Sequence, residues 1–279
     1  MVVPARFNRP TLNRESDVRE RSQNASIFKL LVAVAGGLLW LYLSPLLFVN
    51  SITARPLAHP SNVVCRPEMP PHRRAEVADK LREITGWDNL RFDDDGFLHP
   101  GATTTGGGSP SARALLGAAV NGAPLLVLED ASHRDDVVFC RVVSGRWTDN
   151  AAEKPPVHLL LIDFADFSHV RGDPMALSAF NVGWGVLHEM AHVVYDAADA
   201  AREDEAGECE ELLNQMRREC GKAERAEYHF RLLPGAAASE FKTRYVRLAF
   251  EHSPIPNRGK KRYWLIWDAA VVGGLRASR

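Results

Sequence analysis

The chain reads as an α+β protein, a small mixed sheet with helices, preceded by one membrane-spanning helix. Three observations predict this class. Residues 125–128, 137–143 and 157–162 are β-branched or leucine-rich runs separated by turn residues, as strands are. Residues 174–197 and 207–220 instead place their apolar positions at helical spacing. Residues 30–49, LLVAVAGGLLWLYLSPLLFV, carry no charge over the length that a helix needs to cross a bilayer.

With 279 residues, of which 46% are hydrophobic and 25% charged, the chain has material for a sizeable core. Its formal net charge of −1 gives no bulk attraction for nucleic acid, so that class of partner is excluded.

Taken in order, residues 1–28 are polar and basic-leaning, with Arg6, Arg9, Arg14, Arg19 and Arg21 against Glu15, Asp17 and Glu20, and are expected to be a disordered cytoplasmic segment. Residues 29–49 are the expected anchor. The apolar run is longer than a signal peptide's and no small-residue cleavage site follows it. The arginine excess before it orients the N-terminus inward, which puts the remainder of the chain outside the cytoplasm. Residues 50–72 are proline-rich and read as a tether. Residues 73–279 form the expected globular domain.

Within that domain residues 75–87 suit a short helix, and Asp93, Asp94, Asp95 and Gly96 a turn between short strands rather than a calcium loop. Residues 103–109, TTTGGGS, lack the lysine of a phosphate loop. A helix over 111–121 takes Ser111 as its cap and ends at Asn121-Gly122. Three strands follow. Gly172, Asp173 and Pro174 then start a helix, with Asp173 as cap, that runs to about Ala197. Residues 226–233 read as a further helix, and 242–251 with 263–268 as a closing hairpin. Cys209 and Cys220 lie about 16 Å apart along one helix, too far to bridge. Cys65 and Cys140 are the pair open to a disulfide in an oxidising compartment.

The chemistry gathers on the long helix. His188, Glu189 and His192 form an HExxH motif, whose histidines stand one turn apart and present two imidazoles on one face to a single ion. A catalytic zinc takes three protein ligands and leaves a fourth position to water, which a nearby carboxylate deprotonates. Glu189 has that role. Phe180, Leu187, Ala191 and Val194 lie on one side of the histidines and Val182, Val186, Met190 and Val193 on the other, so the helix belongs in a core. A third ligand is sought in the acidic run after the motif. On the helix over 207–220, the stripe of Cys209, Leu212, Leu213, Met216 and Cys220 marks the packed face. Glu208 borders that stripe and is the expected ligand, with Glu205 and Glu211 as alternates, while Glu210 and Asn214 project away. Tyr228 and His229 are weaker candidates for steadying an oxyanion.

On His188, Glu189, His192 and the acidic helix downstream, residues 157–220 resemble the zincin metallopeptidases. The metzincin branch wants glycine at position 195 and histidine at 198, where this chain has Tyr195 and Ala198. The branch with aspartate at 198 is excluded likewise. A glutamate delivered from a second helix is similar to the gluzincins, especially their small one-domain bacterial members. The resemblance implies Zn2+ held by His188, His192 and Glu208, with Glu189 as base and acid. Thermolysin-like enzymes place their glutamate farther along and follow it with aspartate, where this chain has Leu212. The implied protein is a membrane-anchored zinc peptidase acting on a peptide or protein. The alternatives are a catalytically silent zincin-like module on the membrane and an intramembrane zinc protease, which the polar Asn181 opposes.

Overall fold

The computed structural model describes residues 61–101, 106–132, 134–147, 154–202, 205–233, 244–253 and 259–273. The expected cytoplasmic segment, the anchor and the first part of the tether lie outside these residues. Among the described residues no helix is long and apolar enough to cross a membrane.

The elements run β1 (Val63–Cys65), α1 (Pro71–Thr85), β2 (Arg91–Phe92), β3 (Leu98–His99), α2 (Pro110–Asn121), β4 (Leu125–Asp130), β5 (Cys140–Ser144), β6 (Val157–Ile162) and α3 (Phe164–His169). Then follow β7 (Arg171–Gly172), α4 (Pro174–Ser178), α5 (Val182–Tyr195), α6 (Gly207–Glu219), β8 (Glu224–Arg225), β9 (Arg231–Leu232), β10 (Tyr245–His252) and β11 (Lys261–Asp268). The architecture is mixed α and β, as the alternation of patterns predicts.

One sheet has the order β1-β4-β6-β5. Helices α1 and α2 connect β1 to β4, and a helical crossover leaves those two strands parallel. Strand β6 continues the parallel set, and β5 lies antiparallel on its far side. Residues 61–72, expected as the end of a tether, therefore include a buried strand: Val63 and Cys65 face the core. Proline density suggested a linker, but the apolar Val63, Val64 and Cys65 pair with Leu126, Val127 and Leu128. Cys65 and Cys140 sit on the two outer strands of this sheet, with two strands between, and both thiols are free. At about 4.8 Å per strand step they are far out of bridging range.

Helix α5 packs on α1, α2 and α6 and on strands β5 and β6. Val186, Leu187, Met190 and Ala191 are all buried in the same core as Leu81, Leu115, Leu160 and Met216. Two glycines allow the approach. A Cβ at Gly183 would stand 2.7 Å from Lys80 Cβ on α1, and one at Gly185 would stand 2.7 Å from Cys140 Sγ on β5.

The single helix expected from Pro174 to about Ala197 is broken. Asn181 leaves helical geometry and its side chain accepts from the Gly183 and Trp184 amides, a cap that starts α5 afresh. Asp173 makes no capping bond; its carboxylate accepts from Trp264 N at 2.8 Å and ties α4 to β11. Ser109 rather than Ser111 caps α2. Ser111 and Ser109 instead both donate to Glu219, the last residue of α6.

A second, antiparallel sheet runs β7-β11-β10-β8, with β9 also on β10. The closing hairpin is present, Tyr245 to His252 pairing with Asp268 to Lys261. The helix expected over 226–233 is absent. Ala226 N bonds Ala249 O, and Arg231 and Leu232 pair with β10, so this stretch adds to the sheet instead.

Candidate metal centre

Helix α5 ends on Asp196, whose left-handed backbone (φ 53°) turns the chain back over the helix. That reversal decides the site. Asp199 arrives with Oδ1 3.2 Å from His188 Nε2 and 3.5 Å from His192 Nε2. The loop is held there from α6: Cys209 N donates to Ala198 O, and Asp199 bridges to Gly207.

The hydrogen bonds of the two histidines fix which nitrogen faces Asp199. His192 Nδ1 lies 2.7 Å from Ala197 O, an acceptor, so Nδ1 carries the proton and Nε2 the lone pair. His188 Nδ1 has Cys209 Sγ at 3.3 Å and Glu210 Oε2 at 3.8 Å, again leaving Nε2 for the shared space. The space between these nitrogens and the Asp199 oxygen takes one positive charge, either the proton by which His188 Nε2 hydrogen-bonds the carboxylate or a metal ion that displaces it and receives the ring lone pairs. Two ligands bonded at zinc distances and the tetrahedral angle stand about 3.3 Å apart. The separations of 3.2 and 3.5 Å match. Among the described residues, His188, His192, Asp199 and Cys209 form a group with ligand atoms within 4.8 Å of one another, and Cys209 is on the Nδ1 side of His188.

Glu189 is buried beside this group, and its Oε2 accepts from Val142 N on β5 at 2.9 Å. Burial raises its pKa, against the lowering pull of His188 and His192. Asp199 is also partly desolvated, but hydrogen bonds from His188 and Tyr228 win and hold its carboxyl at about 2. The Tyr228 ring stacks on His188 with centroids 6.3 Å apart, and burial together with the bond to Asp199 pushes its hydroxyl pKa up.

Glu208 is placed differently from expectation. It is exposed, and its Oε2 accepts from Ala198 N at 3.2 Å, so it pins the loop next to Asp199 and stays outside the group. Glu205 and Glu211 are exposed as well. Glu210, expected to project away, is fully buried: Arg217 bonds Oε1, Arg225 bonds Oε2 at 2.9 Å, and the two cations overcome burial to hold it at about 2. The packed face of α6 therefore includes Glu210, Asn214 and Arg217 beside Cys209, Leu213 and Met216. An apolar stripe cannot reveal a buried charge whose counter-charges lie elsewhere in sequence. Asp199 was also missed, since nothing in the run of acids marks a residue delivered by a loop rather than a helix.

No known protein family, curated protein or solved structure matches this chain.

Proposed function

We propose that the chain is a zinc-dependent peptidase of zincin type, anchored in a membrane by residues 29–49, that hydrolyses a peptide or protein outside the cytoplasm. One observation carries this: Asp199 Oδ1 stands at ligand-to-ligand spacing from the Nε2 atoms of both histidines, with a buried carboxylate alongside. His188, His192 and Asp199 would hold the ion, so the third ligand comes from the loop after the motif helix rather than from Glu208. A bound zinc supplies an acidified water and polarises a carbonyl oxygen.

The chain's own groups do the rest. Val142 N–H orients the Glu189 carboxylate, which takes the water's proton during attack and returns it to the leaving amine. Burial keeps Glu189 a stronger base than a solvated glutamate. Ala197 O sets the ring orientation of His192 from behind, and Cys209 Sγ at 3.3 Å, with the Glu210 carboxylate at 3.8 Å, backs the Nδ1 side of His188.

Glu189→Gln removes the base and no ligand. It should retain one equivalent of zinc while peptide hydrolysis falls about 10²–10⁴-fold. A full chain that binds no zinc, or a Glu189→Gln variant as active as wild type, ends this reading.

A further inference from the structure

Against the reaction centre lies a cavity of about 220 Å³ whose wall includes His188 and Glu189. This exceeds the ~150 Å³ of an apolar protein cavity that accepts benzene. Six aromatic rings make much of the remaining wall, Phe139, Phe167, Phe180, Trp184, Phe230 and Trp267, beside the charged Glu210, Arg217 and Arg225. Phe139 is the hub, with ring centroids 5.2 Å from Phe167, 5.0 Å from Phe180 and 5.3 Å from Trp267.

Phe139 holds that place at a cost. Its φ of 61° is left-handed, a conformation rare for a bulky residue and retained only where surroundings enforce it. They do so here from both sides. Phe139 N donates to the buried Asp166 carboxylate at 3.0 Å, and Phe139 O accepts from Asp163 N at 2.8 Å. The same Asp166 accepts from Gly273 N, so α3 and the C-terminal turn are both fastened to this one backbone unit. Gly185, also in the wall, lets the Phe167 ring close in, since a Cβ there would stand 3.1 Å from Phe167 Cζ.

The two arginines at the cavity are already engaged by Glu210. Glu210 is bonded on one oxygen by Arg217 and on the other by Arg225, and Arg217 also lies over the Trp184 ring. An incoming carboxylate would lose its water beside Glu189 and find both arginines already engaged. A flat apolar ring would find edges and faces at stacking distance.

We propose that this cavity is a recognition pocket for a large aromatic side chain of the substrate, with Phe139 as its specificity-determining wall. The inference rests on the peptidase reading for its use in catalysis, but not for the binding itself.

The test separates the two. The full chain is titrated with 5-fluoroindole and followed by fluorine NMR, and in parallel is given peptides varied at each position around the cleavage site. Saturable 5-fluoroindole binding is expected, weakened on the order of tenfold in Phe139→Gly, which accepts the φ of 61° while deleting the wall. Peptides with Phe, Tyr or Trp at one fixed position beside the scissile bond should be cleaved on the order of tenfold faster than those with Ala there. In Phe139→Gly this preference should shrink. Binding and its loss in Phe139→Gly without cleavage of any peptide would support the pocket and sink the peptidase. Cleavage with no aromatic preference, or no 5-fluoroindole binding to the wild-type chain, would overturn the pocket.

Discussion

His188 stands between two carboxylates that differ in every respect but charge. Asp199, on the loop after α5, is partly exposed and reaches the Nε2 side of the ring. Glu210, on α6, is fully buried on the Nδ1 side and belongs to two arginines. The loop acid can give its oxygen to an ion because its partners are hydrogen-bond donors. The helix acid cannot, since leaving its arginines would strand buried charge. Burial and nearness to a histidine therefore do not by themselves leave a carboxylate free to bind an ion.

The largest effect is expected from Glu210→Ala. It leaves Arg217 buried with its main counter-charge gone, and breaking such a pair costs about 3–5 kcal/mol. Denaturant unfolding of the full chain should show this loss, together with a 10- to 100-fold weaker zinc affinity of the outer-sphere kind. Unchanged stability would mean the two carboxylates are not distinguished as described.

Asp199→Ala should do the reverse, leaving stability nearly intact and weakening zinc binding by more than the roughly 100-fold upper end for outer-sphere partners. Chelator competition at fixed pH measures it, because binding releases protons. Glu208→Ala should weaken zinc by less than about 10-fold, since it removes only a bond to Ala198 N from the outside of the loop and falls short of outer-sphere partners of the ligands themselves. If Glu208→Ala strips zinc and Asp199→Ala does not, the third ligand comes from α6 and the loop is rearranged on metal binding.

The smallest effect concerns a carboxylate remote from the site. Slight burial would raise the pKa of Glu219, but hydrogen bonds from Ser109 and Ser111 hold it at about 2, below its ordinary 4.5. A folded-state pKa that is depressed contributes stability in full above the unfolded value of 4.5, and that contribution is lost as pH falls through about 2. Glu219→Gln should therefore flatten the acid-side slope of stability between these values and leave zinc binding untouched. Acid titration of the unfolding midpoint checks this.

What could be read in advance follows the range of the interactions involved. The strands β4 and β6, the turn at Asp93 to Gly96, and the hairpin of β10 and β11 each rest on contacts between chain neighbours or on simple alternation. The break at Asn181 was missed because a cap and a mid-helix polar residue look alike until the backbone turns. The stretch over 226–233 was misread because its pairing partner, β10, begins after a further connection, and local propensity gave way to a free strand edge.

The sequence alone determined the pairing of His188 with His192 and the place of Glu189 beside them. That follows from the helical repeat, which any amphipathic stretch of this composition imposes locally. Tertiary structure decided that Asp199 would meet both histidines and that Glu210 would not be free to do so. The first needs the left-handed turn at Asp196 and the hold of α6 on Ala198; the second needs Arg217 and Arg225 to converge from a helix and a strand. Such convergence is a sum of distant packing contacts, and no spacing within a motif encodes it.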